Sequence, residues 1–296
     1  MSDHRFPYTD AVRVVATALD EDLGRRSLDV TTFATIPASQ ECTGHIVARA
    51  DGVVAGIPAI TLVIEAVAER ISAVPPTVEF HATDGMRVRR GDRIATIEGS
   101  THATLVAERT ILNIICRTSG IATHTRRWAD ELEGTKALVL DTRKTTPGLR
   151  ALEKYAVRCG GGTNKRMGLY DVAMIKDNHK LAAGGLTAAY EAVRTAYPEV
   201  TIQVEVTTTA EALESVRAGA RFLLCDNMSV ELLGETVAAV RALEEELGEA
   251  VELEATGGLT LEVAAAYAAT GVDFMSVGGL THSSPILDLA LDLDSD

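Results

Sequence analysis

The chain has 296 residues, 46% of them hydrophobic and 24% charged, with a formal net charge of −14. That is enough chain for one large core or two modest ones, while the excess of acid speaks against a nucleic-acid binder, which needs a broad basic stripe. No apolar run approaches the roughly 18 residues of a membrane span, the opening MSDHRFPYTD has no signal-type apolar core, and Cys42, Cys116, Cys159 and Cys225 form no CxxC pair, so a cytoplasmic protein with reduced thiols is expected.

In chain order, Val12, Val15, Ala16 and Leu19 recur at helical spacing over 8–22. Strand-like runs at 43–50 and 53–55 precede an apolar helix near 58–69. VEFHATDGMRVRRGDRIATIEG alternates with period two, and Asp84-Gly85 and Gly91-Asp92 mark turns between strands. The first part therefore reads as a mixed α+β unit. From Ala103 a helical pattern runs to Gly120, is interrupted there and resumes to about Leu132, with the domain junction near 110–118. Beyond it, apolar runs at 137–142, 172–176, 202–206, 221–225, 251–255 and 272–277 alternate with helical segments such as 209–218, 229–247 and 260–270. Strand-then-helix alternation implies a parallel sheet covered by helices. Six such units with no dinucleotide fingerprint fit an α/β barrel better than an open sheet.

Charge is concentrated in one stretch. Between Arg143 and Lys180 nine Lys or Arg stand against three acids, on an otherwise anionic chain. Arg150, Lys154 and Arg158, four apart, are either a solvated helix face or part of a polyanion pocket. Arg143 and Lys176 follow apolar runs where buried strands end, and cations held there need anionic partners. In a barrel the strand-ending residues line the site, and here these are Arg143, Lys176, Glu205, Asp226, Thr256 and Gly278. ATGGLT (255–260) and SVGGLTHSS (276–284) each open a helix, where backbone N–H groups can hold phosphate. Glu205 and Asp226 are either buried acids satisfied by a neighbouring Arg, or carboxylates facing sugar hydroxyls, a divalent metal or a developing positive charge. His4, His45, His81, His102 and His124 read as structural or exposed, whereas His179 and His282 fall beside the site in a supporting role.

Taken together, EDLGRRSLDVTT (21–32), AERTILNIICRTSGIAT (107–123), DTRKTTPGLRALEKYAVRCGGG (141–162), IKDNH (175–179), VEV (204–206), LCDNM (224–228), ATGGLT and SVGGLTHS make the chain resemble the quinolinate phosphoribosyltransferases nearly end to end. The resemblance implies an α/β protein: an N-terminal α/β sandwich over 1–112 and an incomplete α/β (TIM-like) barrel over 113–282, with the tail 283–296 returning to the sandwich. It implies transfer of phosphoribosyl from phosphoribosyl pyrophosphate to quinolinate, with Mg²⁺ and loss of CO₂, by a homodimer or larger assembly whose subunits share sites. By the same resemblance Arg143, Arg166 and Lys176 take the quinolinate carboxylates, with Arg109 reaching in from the other subunit, and Lys165, standing where the family usually has a carboxylate-contacting histidine, is a candidate for that histidine's role. Lys144 serves the pyrophosphate or phosphate groups. Glu205 and Asp226 hold ribose hydroxyls and metal, while Thr256, Gly257, Gly258, Gly278 and Gly279, with His282 nearby, cradle the 5′-phosphate. One departure stands out. The family usually carries His-Arg after the glycine run, as in GGGxxHRxGL, where this chain has Asn164-Lys165-Arg166. Smaller ones are Thr256 for serine and Leu28 for glycine. A paralogue using another aromatic acid, a Schiff-base aldolase built on Lys176 and a sugar-phosphate-binding barrel without turnover remain the alternatives.

Overall fold

The structure is a computed structural model that describes residues 5–294; His4 lies outside them. The chain divides into two compact units, one of residues 5–126, 145–161 and 280–294, the other of 127–144 and 162–279.

In the first unit α1 (Tyr8–Leu23) buries Ala11, Val15, Leu19 and Leu23, four apart and so on one face. Asp29 starts α2 (Val30–Thr35) by accepting the Thr31 and Thr32 N–H groups at 2.9 and 3.0 Å. There follow β1 (Glu41–Ala48), β2 (Gly52–Val53), α3 (Ala59–Ile71), β3 (Thr77–Phe80), β4 (Arg87–Val88) and β5 (Arg93–Ser100). Gly85 and Gly91, at the expected turns, have φ of 86° and 95°, a region open to glycine. β3, β5 and β1 form an antiparallel sheet. A C-terminal strand, Leu289–Leu293, pairs on the other side of β1, with Leu289 opposite Ala48. Ile60, Val63 and Ile64 of α3 join Ile46, Ile94 and Ile97 of the sheet in one apolar core.

α4 (Thr101–Glu131) runs unbroken through Gly120, where the sequence suggests an interruption. A Cβ at Gly120 would lie 2.1 Å from the Pro285 carbonyl oxygen. The glycine admits another backbone at close range, and the helix tolerates its cost of about 1 kcal/mol. The units part after residue 126, inside this helix, whereas the sequence reading divides the chain at 112/113. Helical periodicity carries no mark of where a helix changes neighbours. α5 (Arg150–Cys159) counts with the first unit. Its basic face is not solvated: Lys154 is buried, as is Glu153, which accepts from Arg117 at 2.8 Å. The histidines of this unit bond locally, His45 and His81 to Thr96, His102 to the Ile36 carbonyl and His124 to Ser284.

The second unit is a ring of parallel strands: β6 (Leu138–Leu140), β7 (Val172–Ile175), β8 (Thr201–Val206), β9 (Phe222–Asp226), β10 (Glu252–Thr256) and β11 (Phe274–Ser276). Their spatial order is β6-β11-β10-β9-β8-β7. The last strand thus returns to the first, which is the order of a barrel opened between its first two strands. At that seam a single bridge joins Leu140 to Thr163. Helices α6 (Asp177–Ala183), α7 (Leu186–Ala196), α8 (Thr209–Arg217), α9 (Val230–Leu247) and α10 (Leu261–Ala269) alternate with the strands. The incomplete α/β barrel expected from the resemblance is the fold observed.

Candidate active site

Side chains alternate along a strand, so residues two apart share a face. On β8 Gln203 and Glu205 share one, on β10 Glu254 and Thr256. Gln203 Nε2 donates to Glu254 Oε2 at 2.6 Å, and the Ser276 hydroxyl donates to Glu254 Oε1. This face therefore points into the ring, and the ring has a polar floor centred on a fully buried carboxylate.

Lys165 reaches that floor. Its Nζ lies 2.5 Å from Glu254 Oε1, and the two side chains are 9% and 0% exposed. Burial pulls the Lys165 ammonium below the ordinary lysine range, Glu254 opposes this, and Arg166 and Lys176 add repulsion. The backbone is held by Asp141, a buried acid that follows β6. Asp141 accepts the Lys165 N–H at 2.8 Å and the Asn164 Nδ2 at 2.6 Å.

The other cations gather at the strand ends. Arg166 donates to the Val172 carbonyl at 3.0 Å and sits 3.5 Å from the Met174 sulfur. Burial holds its pKa down and the Arg143 guanidinium adds to the effect. Arg143 keeps a buried Nε without a hydrogen-bond partner among the described residues. Lys176, the residue before α6, places Nζ 2.7 Å from Glu205 Oε2, and its N–H donates to His179 Nδ1 at 3.0 Å. The partner of Glu205 is thus a lysine, not an arginine. An amine held on a carboxylate is a poor start for Schiff-base chemistry. Lys144 is exposed, with its N–H on Thr142.

Asp226 ends β9 half-buried, accepting from Asn227 Nδ2 at 2.9 Å. Asn227 has φ 53° and its N–H donates to the Thr256 carbonyl at 3.0 Å. This packs the turn after β9 against the turn after β10. There Gly257 has φ 98°, and a Cβ on it would lie 2.2 Å from Asn227 Oδ1, so only glycine fits. Gly258 also has positive φ, at 61°. Gly278 follows β11, and Gly279 opens a short helix, Gly279–His282. His282 is exposed and bonds to Ser283. The second unit thus brings together Arg143, Lys165, Arg166, Lys176, Glu205, Asp226, Thr256 and the glycine turns. Arg109, exposed on α4, and His282 belong to the first unit. Glu254, Asp141 and Gln203 escaped the sequence reading, although Glu254 and Gln203 stand two residues before Thr256 and Glu205 and could have been placed by alternation.

Acids and cations at the carboxyl ends of ringed parallel strands stand where α/β-barrel enzymes place their active sites. The family models for the quinolinate phosphoribosyl transferase N-terminal and C-terminal domains match residues 29–119 and 121–292. The chain is 46% identical over 294 residues to the carboxylating nicotinate-nucleotide pyrophosphorylase of Mycobacterium leprae, covering 99% of this chain and 100% of that one. It is 40% identical to a decarboxylating quinolinate phosphoribosyltransferase of Nicotiana glauca, over 98% of this chain and 84% of the relative. The nicotinate-nucleotide pyrophosphorylase structure from Francisella tularensis superposes with a TM-score of 0.89 at 32% identity, covering 98% of each chain. The chain belongs to the quinolinate phosphoribosyltransferase family.

Proposed function

We propose that the protein transfers phosphoribosyl from phosphoribosyl pyrophosphate to quinolinate in NAD biosynthesis, releasing pyrophosphate and CO₂ and leaving nicotinate mononucleotide. The observation that carries this reading is the gathering of Arg143, Lys165, Arg166 and Lys176, in which Lys165 is repelled by Arg166 and Lys176, Arg166 by Arg143, and a buried Arg143 Nε lacks a partner among the described residues. Such a cluster is relieved by a small dianion, and guanidinium forks suit carboxylates.

The pyridine nitrogen displaces pyrophosphate at the ribose C1 carbon, which becomes oxocarbenium-like as the bond to oxygen breaks. Glu205 and Asp226, on adjacent strand ends, supply negative charge beside that centre and acceptors for the ribose hydroxyls. The electron pair of the bond to the departing CO₂ stays on the ring carbon, stabilised by the adjacent cationic nitrogen, and that carbon then takes a proton from solvent. No separate decarboxylating residue is needed. Lys144 serves the pyrophosphate, and Thr256, Gly257, Gly258, Gly278 and Gly279 cradle the 5′-phosphate.

Two acids suit Mg²⁺ brought in by substrate phosphates, since that ion takes one or two carboxylates and fills its sphere with phosphate and water. Among the described residues no group of three or more His, Cys, Asp or Glu forms a protein-only cage. When bound, the ion neutralises charge on the leaving pyrophosphate. A homodimer in the cytoplasm, with Arg109 supplied by a second copy, completes the reading. Among the described residues no helix is long and apolar enough to cross a membrane.

Lys165 in place of the usual histidine keeps a second substrate in view, another pyridine or aromatic acid. A turnover screen of quinolinate, nicotinate and related acids with phosphoribosyl pyrophosphate and Mg²⁺ separates the two. Glu205→Ala and Asp226→Ala should each lower kcat by roughly 100-fold or more while quinolinate affinity changes far less. Near-normal kcat in both would return these acids to a structural role.

A further inference from the structure

Lys180 is a second buried lysine in this unit, 8% exposed, one helical turn beyond Lys176. Its Nζ lies 2.7 Å from Asp177 Oδ1, 2.9 Å from Glu211 Oε1 and 3.1 Å from the main-chain oxygen of Glu205. An ammonium has three N–H donors, and here three acceptors surround it. Glu211 carries the connection onward. Its other oxygen accepts the Thr207 N–H at 2.8 Å and the Thr207 hydroxyl at 3.0 Å. Thr208 caps α8 by accepting the Glu211 N–H at 3.2 Å, so the Thr-x-x-Glu signature of a helix start is present. In a capping box the glutamate returns to the N-H of the cap residue itself. Here it reaches one residue further back, to the loop that leaves β8.

These bonds close a ring: Lys180 to the Glu205 carbonyl, along the chain to Thr207, from Thr207 to Glu211, and from Glu211 back to Lys180. Burial works against the Lys180 charge, but its bonds to Asp177 and Glu211 outweigh that and raise its pKa. Burial likewise disfavours the Glu211 carboxylate, and the Thr207 N–H and Lys180 outweigh it and lower its pKa. Both groups are therefore held ionised. A partly buried ion pair is weak evidence for stability. What this pair does is local. Lys180 holds the backbone end of Glu205 while Lys176, four residues earlier, holds its carboxylate.

We propose that Lys180 and Glu211 are positioning residues for Glu205, fixing the strand end from which that acid faces the ribosyl group; this rests on the transferase reading of Glu205. The chemistry would be sensitive to it, since a 1 Å displacement of a reacting group can cost on the order of 100-fold.

The test compares Lys180→Met, Lys180→Arg, Glu211→Gln, Glu205→Gln and the double variant Glu205→Gln/Lys180→Met. Lys180→Met and Glu211→Gln should each lower kcat by roughly 10- to 100-fold, with quinolinate binding by calorimetry unchanged within about threefold. Lys180→Arg should recover part of the loss. In the Glu205→Gln background, removal of Lys180 should cost little more, because both act through one carboxylate. Glu211→Gln keeps the side-chain volume and carries the test if Lys180→Met does not fold. If Glu205→Gln lowers kcat while Lys180→Met and Glu211→Gln do not, the positioning role is overturned and the Glu205 assignment stands. Full additivity in the double variant overturns it too. If Glu205→Gln itself leaves kcat unchanged, the transferase role of Glu205 fails first, and the inference falls with it.

Discussion

Lys165→Met removes one member of a buried ion pair and strands the other. Glu254 is fully buried and has three donors: Lys165 at 2.5 Å, Gln203 at 2.6 Å and Ser276. Breaking such a pair from one side costs about 3–5 kcal/mol. Gln203 and Ser276 stay in place and keep the carboxylate partly satisfied, so the lower end, about 3 kcal/mol, is expected. At roughly 2–4 °C per kcal/mol for a domain of this size, Tm should fall by roughly 6–12 °C. Lys165→Met/Glu254→Gln removes both charges and leaves an amide that still bonds within the floor. Neutral replacement of a buried pair is often close to neutral in stability, so the double variant should regain most of the loss.

Differential scanning calorimetry on the three proteins measures this. A single variant as stable as wild type, or a double no better than the single, would refute the pairing. The same proteins report on substrate. If the ammonium also meets a quinolinate carboxylate, loss of a charge-assisted bond worth about 1.5–3 kcal/mol should raise KM by roughly 10- to 100-fold. An unchanged KM assigns the lysine to Glu254 alone. The pH dependence has a definite sign. Burial is the main influence on Lys165 and leaves its pKa below the ordinary 10.5 despite Glu254. Between the lowered value and 10.5 the unfolded chain binds more protons than the folded one, so folding gains stability as pH rises. Wild type should therefore gain on Lys165→Met across that window.

Two further outcomes are expected. Mixing Arg109→Ala with Lys176→Ala should restore part of the activity each lacks, because a mixed dimer can hold one site with neither lesion; subunits shown to exchange without any recovery would place Arg109 outside a shared site. Asp273 is pushed up by burial, but Lys136, the Leu253 N–H and Arg241 outweigh this and lower its pKa, so the stability it adds is complete above the ordinary value of 3.8 and lost as pH falls through the lowered one. Asp273→Asn should accordingly be less stable than wild type at neutral pH, with the gap closing in acid, as acid titrations of Tm will record.

Periodicity made most of the fold legible. The six parallel strands fall within or next to the apolar runs that announced them, because the helix-covered face of each strand is apolar, although Gln203, Glu205 and Glu254 on the inward face break the runs of β8 and β10. α6 and α7, Asp177–Ala183 and Leu186–Ala196, were not marked, since IKDNHK and the Gly184-Gly185 turn gave the stretch too little regular spacing. Strand ends were legible because a charge after an apolar run is costly without a partner: Lys176, Glu205 and Asp226 fall within one residue of a strand end, whereas Arg143 lies three residues past Leu140, where β6 stops. What the sequence could not convey is pairing across space. Lys165 and Glu254 are 89 positions apart, and nothing along the chain says that they meet. The same holds for Gly120, whose reason lies in the approach of Pro285.

The seam between β6 and β7 explains why so many cations fit into one barrel mouth. A closed ladder gives each strand one terminal position. Here the ladder is replaced by the Leu140–Thr163 bridge, with Thr163 donating to the Val139 carbonyl at 2.9 Å. Past the bridge, Asp141 takes the bonds that a continuing strand would have made, one to Asn164 and one to Lys165. A second chain segment therefore enters beside β6, bringing Lys165 and Arg166 to a mouth that already holds Arg143 and Lys176. The structure then sorts the charges. The two ammonium groups have acids, Glu254 in the floor and Glu205 at the rim. The guanidinium of Arg166 rests on a carbonyl and a sulfur, and Arg143 keeps its buried Nε without a partner among the described residues. Lysines balanced by acids fix the frame, and the guanidinium groups, which form no ion pair with a carboxylate among the described residues, are the ones an incoming dianion can satisfy.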